Sequence, residues 1–214
     1  DAGSPADPEL FVASSERAVA GFDFELAERL AAAAVKGGGG QAARRQLGAA
    51  LVGQGEFAAG EEQLALAAGE AGDDVRRVGI AVDRAENLYW HLDEAERAVE
   101  LLREAERSAG PQAGRWSLAT RAVFLLFQGR TEKAVDLSFG LLDPVDFADP
   151  ICWHAARTAI WGAACLGRLE RSREVAELFL RVVGDADGGD AALDAEPLMI
   201  FGEIGRCHED YPLR

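Results

Sequence analysis

Read in steps of three and four, the apolar positions of this chain resolve into short helices that come in pairs. The clearest pair is residues 44–68, RRQLGAALVGQGEFAAGEEQLALAA. Leu47, Gly48 and Leu51 share one helical face, and beyond Gly55-Glu56-Phe57 a second helix presents Gly60, Leu64 and Ala67. The small residues Gly48 and Gly60 predict a close helix crossing, with Phe57 plugging the turn between the two helices.

The same pattern recurs along the chain. Pro8-Glu9 opens a helix to about Ala20, Gly21-Phe22 breaks it, and Asp23 caps a partner over residues 24–36. Gly37 to Gly40 reads as a flexible joint. After the 44–68 pair, residues 75–91 and 93–108 form a third. A fourth comprises 115–128 and 131–142, set off by a separator at 111–114. A fifth comprises 151–166 and 169–183, after the Pro/Asp loop DPVDFADP.

Taking Gly60 as the small residue early in a second helix, its equivalents are Ala27, Ala95, Ala134 and Ser172, with separations of 33, 35, 39 and 38. Three residues earlier stand Phe24, Phe57, Leu92, Thr131 and Leu169. Five earlier stand Gly55, Gly129 and Gly167, with Phe22 and Trp90 as exceptions. One further step reaches Asp210, so residues 198–206 read as the first helix of a sixth, truncated pair. The uncovered apolar face of such a pair would favour a homodimer.

A helical hairpin repeated at about 34 residues resembles the tetratricopeptide repeat, whose members cannot bury their apolar faces alone and stack on copies of themselves. The resemblance implies an all-α, right-handed superhelical solenoid of antiparallel helix pairs, a single domain over 1–214. Its pairs would be about 8–36, 41–71, 75–109, 113–142 and 150–183, with a partial sixth at 190–214. It also implies a groove lined by the first helices. Carried over by register, the groove positions are Arg45; Arg77, Arg84 and Asn87; Trp116, Val123 and Phe127; and His154, Arg157 and Trp161. Glu9, Val12 and Glu16 come from the first pair. Arginine offers a fixed fork for carboxylate or phosphate, and tryptophan offers flat area. The implied occupant is a protein or peptide segment with acidic or aromatic side chains, or a small anionic ligand. The same residues have a plainer use. Helical arginines pair with acidic residues on neighbouring turns, and Trp116 and Trp161 can serve as inter-helix packing.

Composition agrees with helix and narrows the partners. Hydrophobic residues make up 49% and aromatic residues only 7%, so small and aliphatic side chains carry the apolar content. The net charge of −15 repels a phosphate backbone, so direct nucleic-acid binding is not expected. No run of 18 apolar residues exists, the longest being TAIWGAACLG at 158–167, and no signal-like segment follows the start. Cys152, Cys165 and Cys207 are odd in number and lack CxxC spacing, which fits a reducing compartment; the expected location is the cytoplasm. The chain begins without Met, as a piece of a longer protein would.

Catalytic, metal and cofactor readings find little support: spacing does not exclude a Cys–His nucleophile, but no glycine elbow or oxyanion-type loop accompanies one. Gly37 to Gly40 is followed by Gln41-Ala42-Ala43-Arg44 and preceded by no strand, unlike a P-loop. Cys152 and His154, two apart on a helix, point to different faces. The stretch from Asp185 to Glu196 has calcium-loop ligands at positions one, three and twelve but Asp190 where glycine is required. The acidic pairs read as solvated faces, since none has an apolar setting that would shift a pKa. The expectation is a non-enzymatic chain without cofactor or metal.

Two segments are similar to a narrower family. LYWHLDEAERAVELLREAERSAG and LLFQGRTEKAVDLSFGLL resemble the helical-repeat region of the large ATP-binding LuxR-type transcriptional regulators, the group that includes the maltose activator. In that family a nucleotide-binding module lies upstream, the repeats sense inducer or partner, and a helix-turn-helix lies at the C-terminus. The resemblance covers only the middle of such a protein and implies a sensor module. The other reading is a stand-alone adaptor that binds a peptide segment.

Overall fold

The computed structural model describes residues 7–143 and 149–185. Ten helices and no strand occur among them. They are α1 (Pro8–Ala20), α2 (Phe24–Lys36), α3 (Gly40–Gly53), α4 (Phe57–Gly69), α5 (Asp74–Trp90), α6 (Ala95–Ser108), α7 (Pro111–Phe127), α8 (Thr131–Leu141), α9 (Pro150–Cys165) and α10 (Leu169–Asp185). The chain divides into two compact units, Asp1–Ser117 and Leu118–Arg214, with the division inside α7. In the first unit α1 to α6 pack each on the next, and the odd-numbered helices also touch in succession, α1 on α3 and α3 on α5. In the second unit α9 packs on both α8 and α10. The expected sixth pair lies outside the described residues.

The turns inside the pairs share one construction. In α1, the Phe22 amide donates to Val19 O and the Asp23 amide to Ala18 O, closing the helix with a left-handed residue between. The same two bonds recur as Gly55 to Val52 and Glu56 to Leu51, as Gly129 to Leu126 and Arg130 to Leu125, and as Gly167 to Ala164 and Arg168 to Ala163. The left-handed residues are Phe22 (φ 59°), Gly55 (86°), Asp93 (56°), Gly129 (74°) and Gly167 (71°). Asp93, not Trp90, therefore holds this position in the third pair. Its turn is one residue longer, and the closing bond runs from the Glu94 amide to Leu88 O.

That extra residue corrects the register. The buried small residue three places into each second helix is Ala27, Gly60, Ala98, Ala134 and Ser172, so Ala98 replaces Ala95. Before the turn, α5 matches α3 at a separation of 37, with Ala43, Gly48 and Ala50 over the buried Ile80, Ala85 and Asn87. The helix crossings fall where two small residues meet. Gly48 and Gly60 approach so closely that a Cβ on Gly48 would lie 2.6 Å from Leu64 Cγ and 3.1 Å from Gly60 O. At the two ends of the series a serine hydroxyl spans the crossing. Ser15 Oγ donates to Ala27 O, and Ser172 Oγ to Ile160 O, each at 2.9 Å.

Three local expectations change. Gly37–Gly39 is an ordered turn, its Gly38 and Gly39 amides bonded to Val35 O and Ala34 O, and Gly40 already belongs to α3. The separator expected at 111–114 is the first turn of α7, where proline needs no amide partner. The Phe57 ring does not plug its own turn; it stacks on His91 after α5, with centroids 4.2 Å apart and planes 1° apart. Phe24 likewise lies against Gly53 of the following pair, leaving no room for a side chain there. The aromatic position thus joins one pair to the next.

Two glycine variants separate these causes. Gly48→Ala overpacks the α3/α4 crossing and should cost about 1–3 kcal/mol. Gly55→Ala meets nothing within 4 Å, so its cost, about 1 kcal/mol, comes from the left-handed backbone alone. Urea unfolding should rank Gly48→Ala as the more damaging; the reverse order would mean that the crossing is not the tighter constraint.

Candidate functional site

The arginines expected in a groove are mostly engaged. Arg45 grips Asp83 of α5 with two bonds, Nε to Oδ2 at 2.5 Å and Nη2 to Oδ1 at 3.1 Å. The Asp83 bond raises the Arg45 pKa against its partial burial, with a smaller contribution from the charge of Glu16. Arg77 pairs with Asp74 one turn earlier. Arg84 turns toward α4, where Nη2 reaches Glu61 Oε1 at 2.7 Å. Asn87 is buried, and its Nδ2 donates to Phe57 O at 2.9 Å. Arg84 and Asn87 thus fasten α5 to α4, not to an outside ligand.

Glu61 is the centre of that joint. It is 7% exposed, and Arg84 of α5 and Arg97 of α6 both bind its Oε1. Its Oε2 and Asn87 Oδ1 are buried without a hydrogen-bond partner. A carboxylate removed from water this far depends on its cations, so three helices are tied by one charge. Arg97 also holds Glu94 at 2.7 Å, which anchors the long turn.

The face shared by α1, α3 and α5 carries a different set. Gln46 Nε2 donates to Glu16 Oε1 at 3.3 Å, and Arg45 lies between Glu16 and Asp83. Glu86 follows Asp83 by one turn. It is exposed by surface area yet has much protein around its carboxyl. The lost hydration, and then the charge of Asp83, push its carboxyl up to about 7. By the structural register Glu86 stands where Ala49 stands in α3, so it occupies the position that the sequence register assigned to Arg84. The expectation that no acidic pair has a setting that would shift a pKa is contradicted at Asp83 and Glu86.

In the second unit two of the expected residues meet. Phe127 at the end of α7 is 52% exposed and meets Trp161 of α9 edge to face, with centroids 5.1 Å apart. Arg157 lies one turn before Trp161, is exposed, and forms no ion pair among the described residues. His154 is half-buried one turn further back, and its carbonyl accepts from Thr158 Oγ1. Trp116 belongs to the first unit and is half-buried.

Among the described residues no group of His, Cys, Asp and Glu could hold a metal. Cys152 is buried, its thiol directed to Leu141 O, and Cys165 is exposed. No helix there is long and apolar enough to cross a membrane. Cys207 and the calcium-like loop beyond Asp185 lie outside the described residues. No protein-family model matches the chain, and no curated protein matches it.

Two substitutions test this geometry. Glu61→Ala leaves the largely buried Arg84 without its partner and should cost about 3–5 kcal/mol in urea unfolding, while Glu61→Leu combined with Arg84→Met should recover most of the loss. At Glu86 the sign follows from a carboxyl raised in the folded state from 4.5 to about 7. Its stabilisation is full below about 4.5 and is lost as pH rises through about 7. Glu86→Gln should therefore gain stability on the wild type between pH 5 and 8; a difference constant with pH would sink the assignment.

Proposed function

We propose that this chain is a non-enzymatic binding module of tetratricopeptide type, a right-handed superhelical stack of helix pairs. It takes an aromatic and acidic segment of a partner protein, or a small anionic ligand. The observation that carries the reading is the Phe127–Trp161 pair with Arg157 beside it. Exposed aromatic area next to a guanidinium that forms no ion pair among the described residues suits a partner's aromatic and carboxylate side chains, because the rings supply desolvated contact and the fork supplies direction. The recurrent turn, the recurrent small crossing and the succession of α1, α3 and α5 support a repeat architecture.

The role of such a module in a bacterial transcriptional regulator is also part of the proposal. It rests on the likeness of residues 88–110 and 125–142 to the LuxR-type repeat region. In that role, occupation of the second-unit face would shift the population of arrangements open to the parent protein. The full-length gene discriminates. A nucleotide-binding module upstream and a helix-turn-helix downstream favour the regulator, and genes without them favour an adaptor.

Binding can be tested directly. Fluorescein-labelled peptides rich in aspartate, glutamate and tryptophan, titrated by anisotropy, should bind the wild type better than versions with lysine for the acids. Arg157→Glu should weaken that binding about tenfold, the equivalent of 1.4 kcal/mol, and leave the far-UV CD melt unchanged. Equal binding by wild type and variant would refute the assignment of this face.

A further inference from the structure

A hollow lies in the second unit between α8 and the start of α10. Its volume is about 350 Å³, and it is lined by Val135, Asp136 and Phe139 of α8 with Arg168 and Arg171 of the α9–α10 turn and α10. Val135 is buried and gives an apolar floor, continued by the ring of Phe139. The two arginines reach the rim because the turn aims them. Gly167 is left-handed, the Arg168 amide is held by Ala163 O at 2.8 Å, and Arg171 follows three residues later on the same helical face.

The charges around the hollow are poorly matched to one another. The Arg171 guanidinium rests over the Phe139 ring, 4.3 Å from its centroid, and forms no ion pair among the described residues. Arg168 has only a loose contact, 3.6 Å, with the largely exposed Glu132. Asp136 lines the same hollow and is unpaired among the described residues. Opposite charges that share a small hollow without closing on each other leave space for a group between them. A partner for all three must carry an anion toward Arg168 and Arg171, a cationic donor toward Asp136, and an apolar body over Val135 and Phe139.

The geometry points to a binding site for a small zwitterion, an amino acid with an apolar or aromatic side chain. Its α-carboxylate lies between Arg168 and Arg171, its ammonium donates to Asp136, and its side chain covers Val135 and the open part of Phe139. The guanidinium forks and the ammonium–carboxylate contact are charge-assisted bonds, and covering the open part of the Phe139 ring removes apolar area from water. The volume falls within the range of small-molecule sites. This site is separate from the Phe127–Trp161 face and stands without it.

The test uses three probes on the whole chain, read as ¹H–¹⁵N chemical-shift changes. L-Phenylalanine carries all three features, 3-phenylpropionate lacks the ammonium, and phenethylamine lacks the carboxylate. L-Phenylalanine should shift residues of α8 and α10 in a saturable way, 3-phenylpropionate should bind about tenfold more weakly, and phenethylamine should not saturate. Arg171→Ala should abolish the L-phenylalanine response. Asp136→Asn should weaken L-phenylalanine and should not weaken 3-phenylpropionate, which lacks the ammonium that Asp136 accepts from. Arg171 and Asp136 are exposed, so both variants should keep the wild-type CD melt. Absence of saturable shifts with L-phenylalanine at about 10 mM, a concentration that would fill even a millimolar site, overturns the proposal. So does a response that survives Arg171→Ala, or equal binding of all three probes.

Discussion

Everything in this molecule depends on how closely two helices of a pair can cross. At Gly48 and Gly60 the helices approach until a Cβ on either would strike Leu64 or Val52 and come within 3.1 Å of the other glycine's carbonyl oxygen, and Ala27, Ala98, Ala134 and Ser172 take that place in the other second helices. A close crossing requires the chain to reverse within three residues. The left-handed residue at the end of each first helix makes that reversal while satisfying the last carbonyls of the helix. Turn and crossing are two sides of one constraint, since the turn fixes which residues face each other twelve positions apart. Only the third pair departs from it, and it adds its extra residue outside both helices, so the core positions of each are kept.

Between pairs the interactions change in kind. Aromatic rings at Phe24 and Phe57 reach forward to the next pair, and amides from that pair return to their carbonyls, Gln54 to Phe24 O and Asn87 to Phe57 O. Around α5 the joint becomes ionic, with Arg45 on Asp83 and Arg84 on Glu61. Exposed ion pairs contribute little, but Arg84 and Glu61 are largely withdrawn from water, where losing one partner is costly. The polar residues that looked most available for recognition are those that hold the first unit together. In the second unit Arg157 and Arg171 form no ion pair among the described residues, and Arg168 has only a loose contact with Glu132.

The helices themselves were legible. Period, caps and breakers place α1, α2 and α8 within a residue, because Asp23 and the glycines act locally. The register of the third pair was not, because Trp90 and Leu92 mimic the spacing of the glycine and the aromatic plug while the actual left-handed residue, Asp93, carries a side chain. The site inherited that slip. A shift of two residues on a helix is about half a turn, which exchanges the outward Glu86 for the inward Arg84. Glu61 offered no signal of its own, since its burial comes from α5 and α6 lying over it. Phe127 and Trp161, which the sequence register set on neighbouring first helices, meet edge to face.

The buried Glu61 has a consequence for assembly of the chain. Helix pairs of similar construction present similar small-residue faces, and a pair could dock on the wrong neighbour. A carboxylate that must find two particular guanidinium groups on α5 and α6 makes such a misplacement expensive. The odd-length turn beside it adds a second mark of identity. In a series built of similar parts, this joint works as a key, admitting one order of stacking at the cost of a charge kept away from water.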